Sequence, residues 1–232
     1  MWAQLLGTMA RAAPARCDVC HAWPSQPVCA ACSARFSAPV PRCRTCALAV
    51  PAGIEHCGRC LRQPPPLADC IAAVSYGYPW AGLVARFKFS GGAGWASTFA
   101  PLMLAAPGAA EVLAASDLVV PMPLSRERLA ARGYNQAHEL ARRLSPRRAD
   151  AALALRVRDT APQVQLAYGD RQANVRHAFA IEPARAQEVR GAQVLLVDDV
   201  LTTGASLFAL AQVMREAGAA QVRAIVFART EE

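Results

Sequence analysis

Val194-Leu195-Leu196-Val197-Asp198-Asp199-Val200-Leu201-Thr202-Thr203-Gly204-Ala205-Ser206 is an apolar run that ends in two adjacent carboxylates and passes into a turn of small residues. The run predicts a buried parallel strand over Val194–Val197. Such a strand delivers its acids to its carboxyl end, where open α/β sheets bind ligands. Helical periodicity follows, predicting a helix over Ala205–Ala217. The turn Thr202–Ser206 carries hydroxyls and a glycine, and it leads into that helix's amino terminus. Backbone N–H groups and the positive helix end converge on a phosphate in such a turn. Two acids beside a phosphate would repel it unless they serve another group. Hydroxyls of an attached sugar, together with a magnesium ion, satisfy that condition, and a ribose 5-phosphate fits. The plainer reading is an acidic strand end followed by a helix cap. A Walker A loop is excluded, because no Gly-Lys-Ser/Thr follows a glycine-rich turn, and a Rossmann fingerprint is absent too.

The segment resembles the phosphoribosyl-pyrophosphate signature of type I phosphoribosyltransferases: apolar strand, Asp-Asp, then Thr-Thr-Gly-Ala-Ser. The resemblance implies that Asp198 and Asp199 hold the ribose 2- and 3-hydroxyls. It also implies that Thr202, Thr203, Gly204, Ala205 and Ser206 hold the 5-phosphate.

Length and composition agree with a packed α/β domain plus a small appendage: 232 residues, 54% of them hydrophobic. The opening Met1–Ala13 is apolar but lacks a basic start and is interrupted by Arg11. That argues against a signal peptide and for a short amphipathic helix over residues 1–14.

Of nine cysteines, eight form four pairs: Cys17 and Cys20, Cys29 and Cys32, Cys43 and Cys46, Cys57 and Cys60. Two cysteines two residues apart converge on one tetrahedral ion, and two such turns complete a four-thiolate zinc site. Two structural zinc sites are therefore predicted in a double zinc-ribbon module over residues 15–63. A segment of about 45 residues with so little apolar content needs metal to supply its folding energy. Zinc rather than disulfides points to the cytoplasm. Joining neighbouring pairs is the simplest assignment, though spacing also admits a crossed one. An iron–sulfur cluster is the alternative metal centre. His21 and His56 adjoin ligand cysteines and read as bystanders, while Cys70 reads as a small buried hydrophobe.

The net charge is +8, carried by 24 arginines and the single lysine, Lys88. Between Ser125 and Arg176 lie 11 arginines against five acids, and between Arg16 and Arg62 six against two. A solvated surface explains some of this, but guanidinium forks also match phosphate oxygens. The two basic zones suit a polyphosphate or single-stranded nucleic acid.

After the linker Pro64-Pro65-Pro66, residues 67–232 alternate in period. Strands are predicted at Cys70–Tyr78, Asp117–Pro121, Leu153–Val157, Val194–Val197 and Val222–Ala228. Helices are predicted at Trp80–Phe89, Trp95–Leu104, Asn135–Leu144 and Ala205–Ala217. That alternation indicates an α/β fold with a mostly parallel sheet.

Four further segments narrow the family: Phe87-Lys88-Phe89-Ser90-Gly91-Gly92, Val120-Pro121-Met122-Pro123-Leu124-Ser125, Arg132-Gly133-Tyr134-Asn135-Gln136-Ala137, and Leu166–Phe179 with Arg171, Asn174 and Arg176. Together with the cysteine pairs they resemble the ComF family of bacterial competence and DNA-utilisation proteins over nearly the whole chain. The resemblance implies a phosphoribosyltransferase-like domain behind a zinc module, acting in uptake or processing of single-stranded DNA. It places pyrophosphate in a flexible loop at Leu124, Ser125 and Arg126, under Arg132, Asn135 and Gln136. Lys88, Arg171 and Arg176 are further basic candidates. Helix capping explains Arg132, Asn135 and Gln136 without a ligand, and a solvated helix face explains Arg171, Asn174 and Arg176. Two functions follow: a phosphoribosyltransferase using magnesium, with an acceptor the sequence does not name, or a non-catalytic module that keeps the sugar-phosphate site to bind nucleic acid or a metabolite.

Overall fold

Two lengths of chain, Met1–Ala38 and Pro39–Glu232, make most of their contacts internally. The computed structural model describes residues 15–89, 92–157 and 178–231. The predicted helix over residues 1–14, and Arg171, Asn174 and Arg176, lie outside the described residues.

In the first unit, Ala15 and Ser25 bridge antiparallel around a turn that holds Cys17 and Cys20. His21 closes this turn with a φ of 63° and donates its amide to Cys17 O at 2.9 Å. Helix α1 (Ala30–Phe36) starts at Cys29, whose Sγ accepts the Cys32 amide. The second unit opens on the same design. Arg42 and Ala49 bridge, Ala47 takes a φ of 56° and donates to Cys43 O at 2.8 Å, and helix α2 (Gly58–Arg62) starts at Cys57. The four cysteine pairs are thus two copies of one turn-and-helix device. The second copy packs with the α/β body, since Ala47 belongs to that body's core.

The body follows as β1 (Cys70–Ser75), α3 (Trp80–Phe89), α4 (Ala96–Leu104), α5 (Ala109–Ala114), β2 (Leu118–Pro121), α6 (Arg126–Arg132), α7 (Gln136–Leu144), β3 (Ala154–Arg156), β4 (Phe179–Ile181), β5 (Gln193–Leu201), α8 (Ala205–Glu216) and β6 (Gln221–Arg229). Strands β1, β6, β5 and β2 lie side by side in that order, all parallel, while β3 and β4 pair antiparallel. The parallel sheet predicted from sequence is present.

Strand β5 continues past its predicted end at Val197. Asp198 pairs with Val226 and Leu201 with Arg229, because β6 offers an equally long ladder. The acids therefore sit within the strand rather than after it. Side chains alternate across the sheet. Val194 and Leu196 face a core with Leu207, Leu210, Ala211 and Met214 of α8. The opposite parity holds Phe227, stacked on Phe99 of α4 at 4.0 Å and set edge-on to Trp80 of α3 at 5.5 Å.

The chain leaves β5 through α8 for β6 on one side. The chain after β2 goes the other way, where Ala149 bridges Val119 in parallel. Connections thus diverge between β2 and β5, and the loops after these two strands flank the crevice where open α/β sheets take ligands. Among the described residues, no helix is long and apolar enough to cross a membrane.

Candidate functional site

Thr202–Gly204 carries the chain from β5 into α8 at the carboxyl edge of the sheet. Gly204 takes a φ of +85°, and a Cβ there would lie 2.3 Å from Cε2 of Phe208. Both the conformation and the contact require glycine. The Thr203 hydroxyl is buried and accepts the Ala205 amide at 3.4 Å, holding the turn, while Thr202 is exposed. The following amides open a helix of 12 residues, so they lack helical acceptors and lie at its positive end. This is the construction that binds a phosphate.

Alternation along β5 sends the two acids to opposite faces. Asp199 shares the face of α3, and Lys88 Nζ lies 3.3 Å from its Oδ2. The pair lacks hydrogen-bond geometry, which leaves Oδ2 buried without a hydrogen-bond partner. A buried acceptor in that state is rare in native proteins and marks a place for a group the chain does not supply. Removing Lys88 would leave the acid uncompensated, a loss of about 3–5 kcal/mol for a buried pair.

Asp198 accepts the Asp199 amide at 2.8 Å through Oδ1. Burial, and then the charge of Asp199, push the Asp198 carboxyl up to about 7, against the pull of Lys88. The folded protein thus holds this proton more tightly than the unfolded chain does. The resulting stability is full below the ordinary carboxylate range and is lost as pH rises through about 7. Denaturant melts of the zinc-loaded protein at pH 5.5 and 7.5 should show a fall with pH that Asp198→Asn reduces. An unchanged slope in the variant would disprove this assignment.

The other wall of the crevice follows β2. Ser125 caps α6 by accepting the Arg128 amide, and Gly133, with a φ of 77°, ends that helix. Residues 126–132 are therefore helical where a flexible loop was expected, because a capping serine and a terminating glycine bracket them. Asn135 caps α7, accepting the Ala137 and His138 amides, and its Nδ2 donates to Met122 O at 3.0 Å. Arg132 donates to Gln136 Oε1 at 3.0 Å, and Gln136 Nε2 is buried without a partner. Tyr134 donates its hydroxyl to Phe87 O, tying this turn to the end of α3 beside Lys88. The structure thus brings Lys88, Tyr134 and Gln136 toward Asp199, while Ser125 and Asn135 serve as fasteners. Tyr134 was not among the site residues expected from sequence, since nothing local predicts that its hydroxyl meets a carbonyl 47 residues away.

Sulfur geometry groups Cys17, Cys20, Cys29 and Cys32, and separately Cys43, Cys46, Cys57 and Cys60, each set within 4.8 Å. Tetrahedral Zn–S bonds of about 2.3 Å separate sulfurs by about 3.8 Å. The Cys20–Cys29 and Cys46–Cys57 sulfurs stand 3.6 and 3.7 Å apart. Neighbouring pairs therefore combine, and the crossed pairing is excluded. Burial pushes the Cys43 thiol up. N–H donors from Cys57, Thr45 and Cys46, with the Thr45 hydroxyl, outweigh that and bring it down to about 5. Cys17 falls to about 6 against its burial, through donors from Cys20, Cys29 and Val19. Such donors hold thiolates ready for a cation, so both groups fit zinc. His21 and His56 belong to neither group. Cys70 stands apart, fully buried, its thiol pushed up by burial.

Known proteins resemble this chain in sequence. The phosphoribosyl transferase domain model matches residues 129–232, which include β5, the Thr202–Ser206 turn and α8. The DNA utilization protein YhgH of Escherichia coli K12 is 33% identical over 216 residues, covering 88% of this chain and 90% of that protein. Its counterpart in Salmonella typhi is also 33% identical over the same shares. Competence protein F of Haemophilus influenzae is 31% identical over 209 residues, 87% of this chain and 90% of its own length. The chain belongs to the ComF family. As a ComF protein it joins a phosphoribosyltransferase-type α/β domain to two four-cysteine groups of the kind that form zinc ribbons.

Proposed function

We propose that this ComF protein binds phosphoribosyl pyrophosphate with magnesium in the β2–β5 crevice, and acts on or with DNA, as the name of its DNA utilization relatives suggests; free thiols grouped for zinc favour the cytoplasm as its place. One observation carries the reading: an acid pair and a glycine-closed phosphate turn stand together on one strand, at the point where the sheet's connections diverge. The 5-phosphate lies on the Thr202–Ser206 amides. The ribose hydroxyls donate to Asp198 and Asp199. Pyrophosphate lies toward Leu124–Arg126, with Lys88 and Arg132 nearby, and Arg171 and Arg176 remain candidates.

Magnesium, when bound, would neutralise pyrophosphate charge, and it takes oxygen donors of the kind that Asp198 and Asp199 would supply. The chain's own part is electrostatic. As pyrophosphate leaves, positive charge grows on the ribose ring, and carboxylates beside it stabilise that charge. The Lys88–Asp199 pair favours a second reading, a binding module, because it already supplies a resident cation to one acid.

Calorimetry with phosphoribosyl pyrophosphate, with and without magnesium, tests binding. A screen for pyrophosphate release across nucleobases, nucleotides and DNA ends then separates the readings. Acceptor-dependent release that vanishes in Asp199→Asn identifies a transferase. Intact ligand throughout leaves the binding module, and absence of magnesium-dependent binding rejects the proposal.

The basic zones should also bind single-stranded DNA without strong sequence preference. Several of their arginines are engaged within the chain. Arg142 and Arg143 both pair with Glu139, and Arg44 pairs with Asp69. Counterion release then gives a steep loss of affinity with salt, on the order of tenfold or more between 50 and 200 mM. Binding unaffected by salt in a fluorescence titration would contradict this.

A further inference from the structure

Arg229 is 1% exposed, yet among the described residues no carboxylate lies within ion-pair distance of it. Its Nε donates to Cys46 O at 3.0 Å, within the second cysteine turn, and its Nη1 donates to Leu201 O at 3.3 Å, the last residue before the phosphate turn. The same Nη1 reaches Thr230 O and Oγ1 at 2.5 and 3.1 Å. A buried guanidinium bonded only to neutral oxygens needs a counter-charge nearby. Four thiolates around one zinc ion carry a formal charge of about −2, and the Cys46 turn is where Arg229 points.

An independent contact leads to the same place. Phe208 packs against the cluster of Cys43, Cys46, Cys57 and Cys60. Its ring also fills the space a Cβ on Gly204 would need. The phosphate turn is thus held at Leu201 by Arg229 and at Gly204 by Phe208, and both supports rest on the same four cysteines.

We propose that Arg229 and Phe208 are positioning residues that couple the second zinc site to the sugar-phosphate turn, so that loss of that metal releases the turn. The idea builds on the proposed function, but its central test needs no ligand. Coupling is reciprocal, so a ligand on the turn slows loss of the second zinc.

Hydrogen exchange of the full-length, zinc-loaded protein tests the coupling, before and after a mercurial reagent withdraws metal. Amides of Leu201–Phe208 should exchange at least tenfold faster after withdrawal, while those of α7 keep their protection. Phe208→Ala should give part of the same loosening with both zinc ions retained, and Phe208→Leu should restore protection. Zinc release to a chelator provides a second readout. Inorganic phosphate or phosphoribosyl pyrophosphate should slow only the phase that Cys43→Ser removes. Unchanged exchange at Leu201–Phe208 would overturn the proposal, and so would an equal rise in α7, which would make the metal a general scaffold. Faster exchange in a protein that binds no phosphoribosyl pyrophosphate would uphold the coupling and reject the ligand alone.

Discussion

Protein purified without chelator should carry two zinc ions per chain, and Cys43→Ser should carry one and melt roughly 10 °C lower. The stoichiometry follows from two sets of four sulfurs, each within 4.8 Å. The loss of stability follows from where the second set sits. Structural zinc contributes on the order of 10–16 kcal/mol to folding at neutral pH, comparable to the whole stability of a domain. Around Cys43, moreover, the turn is sewn to the α/β body. Arg42 donates to Ala47 O and Ser75 Oγ, Arg44 pairs with Asp69, and Arg229 reaches Cys46 O. Losing a few kcal/mol moves the melting point of a domain this size by about 2–4 °C for each. Cys17→Ser should remove the other ion and leave the melting of Pro39–Glu232 unchanged, because Cys17 belongs to a separate unit. Metal analysis paired with calorimetric melts checks both variants, and a folded metal-free protein would end the zinc account.

Substitutions in the acid pair and the turn should cost ligand affinity in a graded way. Asp199→Asn removes a charged acceptor, and Thr203→Val removes a hydroxyl that holds the Ala205 amide. Charged hydrogen bonds contribute about 1.5–3 kcal/mol and neutral ones about 0.5–1.5 kcal/mol, so losses of roughly ten- to a hundredfold are expected for Asp199→Asn and roughly two- to tenfold for Thr203→Val. Gly204→Ala should match or exceed these. It asks alanine to adopt a left-handed φ, at about 1–2 kcal/mol, and it drives a methyl into the Phe208 ring. Isothermal titration on variants with wild-type circular dichroism measures all three. Retained affinity in Gly204→Ala would show that the turn is not the phosphate cradle.

The strand, its acids and the turn were legible because each is local: an apolar run, two carboxylates and a left-handed glycine are consecutive. The helices over Trp80–Phe89 and Gln136–Leu144 were legible for the same reason. What escaped reading depends on contacts distant in sequence. The end of β5 moved to Leu201 because β6 pairs with it that far. Helix α6 was hidden because Ser125 and Gly133 also suit a loop. The cysteine pairing was open in the spacing and closed by sulfur positions. Lys88 read as a basic candidate, and its position 3.3 Å from Asp199 depends on the packing of α3 against the sheet. Arg229 lay just past the predicted strand Val222–Ala228 and carried no expectation; its burial against the second cysteine turn is a contact distant in sequence.

The central claim is that the crevice between β2 and β5 is a sugar-phosphate site. A crystal of the zinc-loaded protein soaked with phosphoribosyl pyrophosphate and magnesium tests it most directly. The account predicts the 5-phosphate on the amides of Thr202–Ser206, the ribose hydroxyls against Asp198 and Asp199, and pyrophosphate toward Leu124–Arg126. Ligand density elsewhere, with the Thr202–Ser206 turn and both acids untouched, would contradict it.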